Sequence, residues 1–262
     1  MGDSKAKKQN RDFSKIPFRL HVSPYNLENE YLEIKISNSL HPIQGKWVFK
    51  LQTYGDKTIM TMKQYSEIDQ YCKELEIDWF ASCWDEASVD FIEQFKPPCY
   101  KIASASLTDD GLLRHHRKFG RPIILSTGMS TIAEIEHAIK VLGEDDLIVL
   151  HSTSTYPAQL EELNLKMIHT LMEKYDFPIG YSGHEPGLAT TFAAAVMGAS
   201  MVEKHITLDR SMWGSDQAAS VEPQGITRLV EYISQWQNAL GNGIKKVYES
   251  EIPIREKLRR KG

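Results

Sequence analysis

Two lysines stand inside apolar runs. Lys50 lies within Phe49-Lys50-Leu51-Gln52-Thr53, and Lys101 within Tyr100-Lys101-Ile102-Ala103-Ser104. An ammonium group buried without a partner costs several kcal/mol, so each needs an explanation. A single lysine of this kind reads as a structural ion pair, or as an edge residue whose head reaches water. Two of them, with Ser104, Ser126, Ser154 and Ser182 closing neighbouring runs, suit another chemistry. Ammonium groups, hydroxyls and loop N–H groups together grip a dianionic phosphate and a carboxylate. Ser126-Thr127-Gly128 also opens a helical stretch, where the helix dipole favours an anion.

His184 and His205 close two consecutive runs, Gly180-Tyr181-Ser182-Gly183-His184-Glu185 and Glu203-Lys204-His205-Ile206-Thr207. Singly, each reads as a hydrogen-bonded structural histidine. At neighbouring strand ends they can supply two imidazoles to one divalent metal, with water and carboxylate oxygens completing the shell. Such a metal polarises a carbonyl. His115, His116 and His137 fall on helix faces and are expected to be solvated. Cys72, Cys83 and Cys99 are odd in number, far apart and without CxxC spacing. They read as reduced thiols rather than zinc ligands.

Elements must carry these groups to one place. From Lys46 onward short apolar runs alternate with stretches of helical period. The strands expected are Trp47–Gln52, Ile77–Cys83, Cys99–Ala103, Pro122–Ser126, Leu147–Ser152, Pro178–Tyr181 and Met201–His205. The helices expected are Met62–Leu75, Glu86–Gln94, Asp109–Phe119, Thr131–Leu142, Glu161–Tyr175, Gly187–Met197 and Glu222–Ala239. Thr108-Asp109-Asp110 and Ser130 suit N-caps, with Ser130 to Glu134 resembling a capping box displaced by one residue. Gly143, Gly198 and Gly241 sit where C-caps belong. Strict alternation implies a parallel sheet with right-handed crossovers. Phe18–Val22 and Tyr31–Ile36 also alternate, between interruptions at Pro17, Pro24 and Pro42. The fold expected is α/β, a (β/α)8 TIM barrel with an atypical or incomplete first βα unit. An open doubly wound sheet is the runner-up, weakened by the lack of GxGxxG after a strand. In a barrel the active site forms at the C-terminal strand ends, where the polar residues above fall.

The chain has 262 residues, 41% of them hydrophobic and 25% charged, as a globular domain does. A net charge of −4 gives no bulk attraction to nucleic acid or an anionic membrane. The longest apolar runs fall far short of the ~20 residues that span a bilayer, and no apolar signal core follows the polar N-terminus. A cytoplasmic protein is expected. Residues 1–15 read as a disordered polar tail, 16–241 as the barrel with 16–46 atypical, and 242–262 as a linker. Ala6 stands where a myristoylation motif wants Ser or Thr.

From about Tyr65 to Arg260, roughly three quarters of the chain, the sequence closely resembles the sialic acid synthases, the phosphoenolpyruvate-dependent nonulosonate synthases. The segments that carry the resemblance are Asp78-Trp79-Phe80-Ala81-Ser82, Tyr100-Lys101-Ile102-Ala103-Ser104, Ile124-Leu125-Ser126-Thr127-Gly128-Met129 and Thr153-Ser154-Thr155-Tyr156-Pro157. Gly180-Tyr181-Ser182-Gly183-His184, Glu203-Lys204-His205-Ile206-Thr207-Leu208-Asp209 and Gly214-Ser215-Asp216-Gln217-Ala218-Ala219-Ser220 follow in the family's order. The resemblance implies that carbon 3 of phosphoenolpyruvate attacks the open-chain aldehyde of an N-acyl hexosamine such as N-acetylmannosamine. Water adds at carbon 2, phosphate leaves, and a nine-carbon 2-keto sugar acid results. It implies Mn2+ or Mg2+ on His184 and His205, phosphoenolpyruvate on Lys50, Lys101, Ser104, Ser126 and Ser182, and the sugar on Ser154, Tyr156 and Asp216. It implies a homodimer.

The sequence departs from the family pattern at four places. The first-strand motif Glu-Ile-Gly-x-Asn-His-x-Gly, whose glutamate lies at the metal, is absent, and Glu33-Ile34-Lys35-Ile36-Ser37-Asn38 is its nearest string. Ser106 takes a usually acidic position, and Asp216-Gln217 replaces Asp-His. The chain stops where the family's C-terminal antifreeze-like domain begins. Two alternatives stand beside the synthase: a truncated or diverged non-catalytic barrel that keeps a phosphate pocket, and a condensation on another sugar or sugar phosphate.

Overall fold

The computed structural model describes residues 19–22, 47–51, 62–212, 214 and 216–260, with side chains from residue 62 onward. The tail at 1–15, the alternation at Tyr31–Ile36 and the string Glu33 to Asn38 lie outside the described residues. Strands β1 (Arg19–Val22) and β2 (Trp47–Leu51) come first. Helix α1 (Met62–Glu74) and six strand–helix units follow: β3 (Asp78–Ala81), α2 (Glu86–Glu93), β4 (Tyr100–Ile102), α3 (Asp110–Arg117), β5 (Ile123–Ser126), α4 (Ile132–Leu142), β6 (Leu147–Ser152), α5 (Met167–Lys174), β7 (Ile179–Gly183), α6 (Ala189–Val196), β8 (Val202–Ile206) and α7 (Pro223–Ala239). A short exposed helix, α8 (Ile252–Leu258), ends the described chain within the segment expected to be a linker.

The eight strands form one parallel sheet in the order β3-β1-β2-β8-β7-β6-β5-β4. Its end strands meet. Ser82 bridges Lys101 in parallel fashion, and the Ser82 hydroxyl donates to the Lys101 carbonyl at 3.1 Å. The sheet therefore curls round on itself with helices outside, as the alternation requires. One feature departs from chain order: β2 pairs with β8, and β1 lies between β2 and β3. This puts the Lys50 backbone in register with His205.

Strand alternation sorts the side chains into two faces. Phe80, Cys99, Ile124, Leu150 and Met201 form one apolar cluster, the floor of the barrel. Two residues further along the same faces come Ser82, Lys101, Ser126, Ser152 and Glu203, all buried. The interior thus changes from apolar to polar toward the C-terminal strand ends. The opposite faces, with Tyr100, Ile102, Ile123, Leu125, Val149, Ile179, Tyr181 and Val202, pack against the helices in the larger core.

The helix ends show what local chemistry decides. Asp109 caps α3, its carboxylate accepting from Leu112 N at 3.0 Å. The capping box of α4 is centred on Thr131 rather than Ser130; the Thr131 hydroxyl and Glu134 carboxylate serve each other's backbone N–H, while Ser130 donates to Gly128 O. The helix expected over Glu161–Tyr175 is split into a 3-10 turn, Leu160–Glu162, and α5, with Asn164 between them in the left-handed region at φ 43. His116 is not solvated. It is fully buried on the inner face of α3, where Nδ1 donates to Leu112 O at 2.9 Å and the ring stands edge-on to Tyr100. Burial pushes its pKa down to about 4. The other two histidines expected to be solvated contact carboxylates, His115 with Asp90 at 2.7 Å and His137 with Asp110 at 2.8 Å. All three cysteines are buried, and none forms a disulfide among the described residues.

Candidate active site

Lys101 sits in the polar layer at 2% exposure. Its Nζ donates to Ser126 Oγ at 2.7 Å and stands 3.6 Å from Glu203 Oε2. The other Glu203 oxygen accepts from Ser182 Oγ at 2.8 Å. Four strands, β4, β5, β7 and β8, thereby place one ammonium, one carboxylate and two hydroxyls in a continuous chain. Each comes from the inward face, and Lys101, Ser126 and Glu203 lie two residues beyond members of the apolar floor.

Above this layer the loops close in. The Gly128 N–H donates to Ser104 Oγ at 2.9 Å. A Cβ on Gly128 would lie 2.0 Å from Ser154 Oγ and 3.0 Å from Ser104 Oγ, so only glycine lets the β5 loop pass between the two serines. The Ser154 hydroxyl is buried and makes no hydrogen bond among the described residues.

The two imidazoles lie together, with ring centroids 5.0 Å apart and planes at 70°. His184 donates from Nδ1 to the Thr153 carbonyl at 2.6 Å. Its other edge faces the Tyr156 hydroxyl, 3.3 Å from Nε2. His205 holds Nδ1 3.0 Å from Asp216 Oδ2. The Tyr156 ring covers both, 4.3 Å from His184 and 5.4 Å from His205 between centroids. Each Nδ1 edge thus faces an oxygen, which turns both Nε2 edges the other way. Outer-shell oxygens orient metal-binding histidines in this manner. Among the described residues no three His, Cys, Asp or Glu groups converge as a metal cage. The donor set fits a cation held by two imidazoles, with positions left for water and substrate oxygens, the open form of a catalytic site.

The structure brings together Lys101, Ser126, Ser182, His184, His205, Tyr156 and Asp216, and beside them Ser104 and Ser154. Lys50 is placed by backbone register alone. Three buried charges were not singled out from sequence: Glu203, Glu185 and Lys204. Glu203 had a signal, since it lies two residues before His205 and so shares its face. Glu185 and Lys204 lie on the helix side, at 0% and 1% exposure. Burial raises the Glu185 pKa, but Lys204 and the neighbouring hydroxyls outweigh it and hold the carboxyl below its ordinary range.

Residues 36–245 match the family model described as NeuB family. The N,N'-diacetyllegionaminic acid synthase of Campylobacter jejuni is 37% identical over 200 residues, covering 74% of this chain and 60% of that protein. The N-acetylneuraminate-9-phosphate synthase of Homo sapiens is 37% identical over 214 residues, covering 79% and 59%. The chain thus spans about 60% of the length of the curated relatives it matches. Among solved structures, the N-acetylneuraminic acid synthetase of Leptospira borgpetersenii, in complex with citrate, superposes with a TM-score of 0.70 at 29% identity, covering 82% of each chain.

Proposed function

The chain belongs to the NeuB family, and on that premise we propose that it condenses phosphoenolpyruvate with an N-acyl hexosamine to give a sialic-acid-type 2-keto sugar acid. The reading rests above all on the layered interior: Lys101, Ser126, Ser182 and Glu203 lie directly beneath two inward-facing imidazoles at the C-terminal strand ends.

Lys101 and the Ser126 and Ser182 hydroxyls take the anionic end of phosphoenolpyruvate, with Ser104 and the Gly128 loop at the rim. Glu203 holds Lys101 and Ser182 in place until the phosphate arrives. His184 and His205 would hold a divalent cation, Mn2+ or Mg2+, which when bound would supply Lewis-acid polarisation of the sugar aldehyde. Tyr156, Ser154 and Asp216 surround the sugar side. Grip on the phosphate and on the N-acyl group fixes the two carbons at bonding distance, and such orientation alone is worth about 7–11 kcal/mol in favourable cases. Carbon 3 of the enol then bonds to the aldehyde carbon, water adds at carbon 2, and phosphate departs with its bridging oxygen. Lys50, in register with His205, joins the phosphate grip.

No described helix is long and apolar enough to cross a membrane. Three cysteines without disulfides suit the cytoplasm, where thiols stay reduced. A homodimer is supported by the apolar side chains left exposed near the C-terminus, among them Leu240, Ile244, Tyr248 and Leu258. Light scattering on the purified chain tests this.

The activity is tested by supplying phosphoenolpyruvate, Mn2+ and N-acetylmannosamine and following phosphate. Release that stops in His184→Ala is the expected result. Release unchanged in that variant overturns the metal assignment. Phosphoenolpyruvate binding by calorimetry without turnover on any hexosamine overturns the synthase and leaves the non-catalytic barrel.

A further inference from the structure

We propose that Glu185 and Lys204 form a positioning brace that sets the separation of His184 and His205. The inference rests on reading those imidazoles as one cation site. The two groups lie behind the site, on the helix side of β7 and β8, and touch no substrate position.

Chain adjacency makes the case first. Glu185 follows one imidazole and Lys204 precedes the other. The β7–β8 ladder ends at Gly183↔Lys204, so His184 and His205 lie just beyond the last paired residues. The β7–β8 pairing thus stops one residue short of both imidazoles, whose backbones are next held separately, His184 by Ala158 N and His205 by Val221 N. The brace begins where the ladder stops. Lys204 Nζ donates to the Glu185 backbone carbonyl and stands 3.3 Å from its Oε1. Tyr181 OH donates to Oε2 at 2.9 Å, and the Thr190 and Thr191 hydroxyls donate to Oε1 at 2.6 and 2.8 Å. One carboxylate thus ties together β7, β8 and the first turn of α6.

Gly183 gives an independent sign that the carboxylate is built into place. A Cβ there would lie 2.8 Å from Glu185 Oε2 and 2.9 Å from Oε1. The Glu185 side chain folds back over Gly183, and any larger residue would drive it out. A fully buried ion pair is poor evidence of stability, because apolar residues of similar size often do as well. What it supplies is direction, and here the direction points through both neighbours to the imidazoles.

The test compares wild type with Glu185→Gln/Lys204→Met, which removes both charges and leaves no unpaired one. Thr191→Val, which removes one donor, serves as a milder second variant should the double variant not fold. Two quantities are read: Mn2+ affinity, by electron paramagnetic resonance titration, and the imidazole 15N shifts of His184 and His205 in metal-free protein. The double variant is expected to bind Mn2+ about tenfold more weakly or worse, the range typical of lost outer-shell support. Both sets of shifts should move while phosphoenolpyruvate affinity stays within about twofold, because the Lys101 layer is untouched; Thr191→Val should move the shifts the same way by less. Unchanged Mn2+ affinity and unchanged shifts in a folded variant overturn the brace. Wild type that fails to bind Mn2+ overturns the cation reading instead, and the 15N shifts then decide the brace by themselves.

Discussion

Glu203 and Lys204 are neighbours in β8, yet each meets its opposite charge on a different side of the sheet. Inside the barrel, Lys101 makes its short contact with the Ser126 hydroxyl at 2.7 Å and stands 3.6 Å from Glu203. On the helix side, Lys204 stands 3.3 Å from Glu185, and Tyr181, Thr190 and Thr191 supply three hydroxyls to the same carboxylate. In both pairs the loss of hydration offsets most of the attraction, so neither is explained by net stability. The difference lies in what each leaves possible. In the proposed reaction the inner lysine, at the base of the mouth, would turn from a carboxylate toward a phosphate. The outer one is tied to the backbone and has no ligand to turn to. One strand thus carries a working pair and a fixed pair on opposite faces.

Replacing each lysine by methionine tests that division. Lys101→Met is expected to cut phosphate release at least ~1,000-fold, about 4 kcal/mol of transition-state stabilisation, on top of the stability lost by removing Lys101 from the buried Glu203 carboxylate. Lys204→Met leaves the Glu185 carboxylate buried and unpaired, which costs about 3–5 kcal/mol, or roughly 10 °C in the unfolding midpoint for a chain of this size. Glu185→Gln/Lys204→Met should recover most of that loss. If the two single variants show the same ratio of lost activity to lost stability, the division between the pairs does not exist.

Much of this was legible in the sequence. Short apolar runs separated by helical periods place β3 to β8 and most of the intervening helices within a residue or two; α5 is the exception, starting six residues later than its period implies because Asn164 breaks the helix. A parallel sheet then forces consecutive strand ends together, which is why His184 and His205 meet. The inner layer followed from alternation, though Glu203 was passed over beside the more conspicuous His205. The outer pair was not legible. Alternation says that Lys204 faces the helices, but not that Thr190 and Thr191 arrive there with their hydroxyls. The burial of His116 does carry a sequence signal, since it lies one helical turn after Leu112, on the buried stripe. The exchange of β1 and β2 depends on pairing between distant segments, and no local pattern encodes it.

Acid sharpens the comparison, because it attacks the helix side first. The His116 pKa is held by burial at about 4, against an ordinary value of 6.5. The unfolded chain therefore takes up a proton at a higher pH than the folded one does. Stability is intact above pH 6.5 and falls as the pH drops toward 4, by about 3 kcal/mol in all. Glu185 adds a second loss at lower pH. Its carboxyl is held below the usual range despite burial, so the folded state loses stability as acid protonates the unfolded chain first. Chemical denaturation at pH 7 and 5 checks the first window. His116→Phe should flatten the curve between them, and a slope that persists in that variant assigns the loss elsewhere.

The smallest effect expected is at Ser154, and it bears on the mouth alone. Its hydroxyl is buried and makes no hydrogen bond among the described residues, whereas the Ser126 and Ser182 hydroxyls below it are engaged with Lys101 and Glu203. A buried hydroxyl without a partner carries a desolvation cost that a bound substrate can remove. Ser154→Ala is therefore expected to leave the unbound protein unchanged or more stable by about 1 kcal/mol. The KM for N-acetylmannosamine should rise about tenfold, equivalent to ~1.4 kcal/mol, while the KM for phosphoenolpyruvate stays put. That split is the informative part. A rise in both constants would mean that Ser154 supports the Gly128 loop, and through it the phosphate, and the sugar side of the mouth would have to be sought around Tyr156 and Asp216 alone.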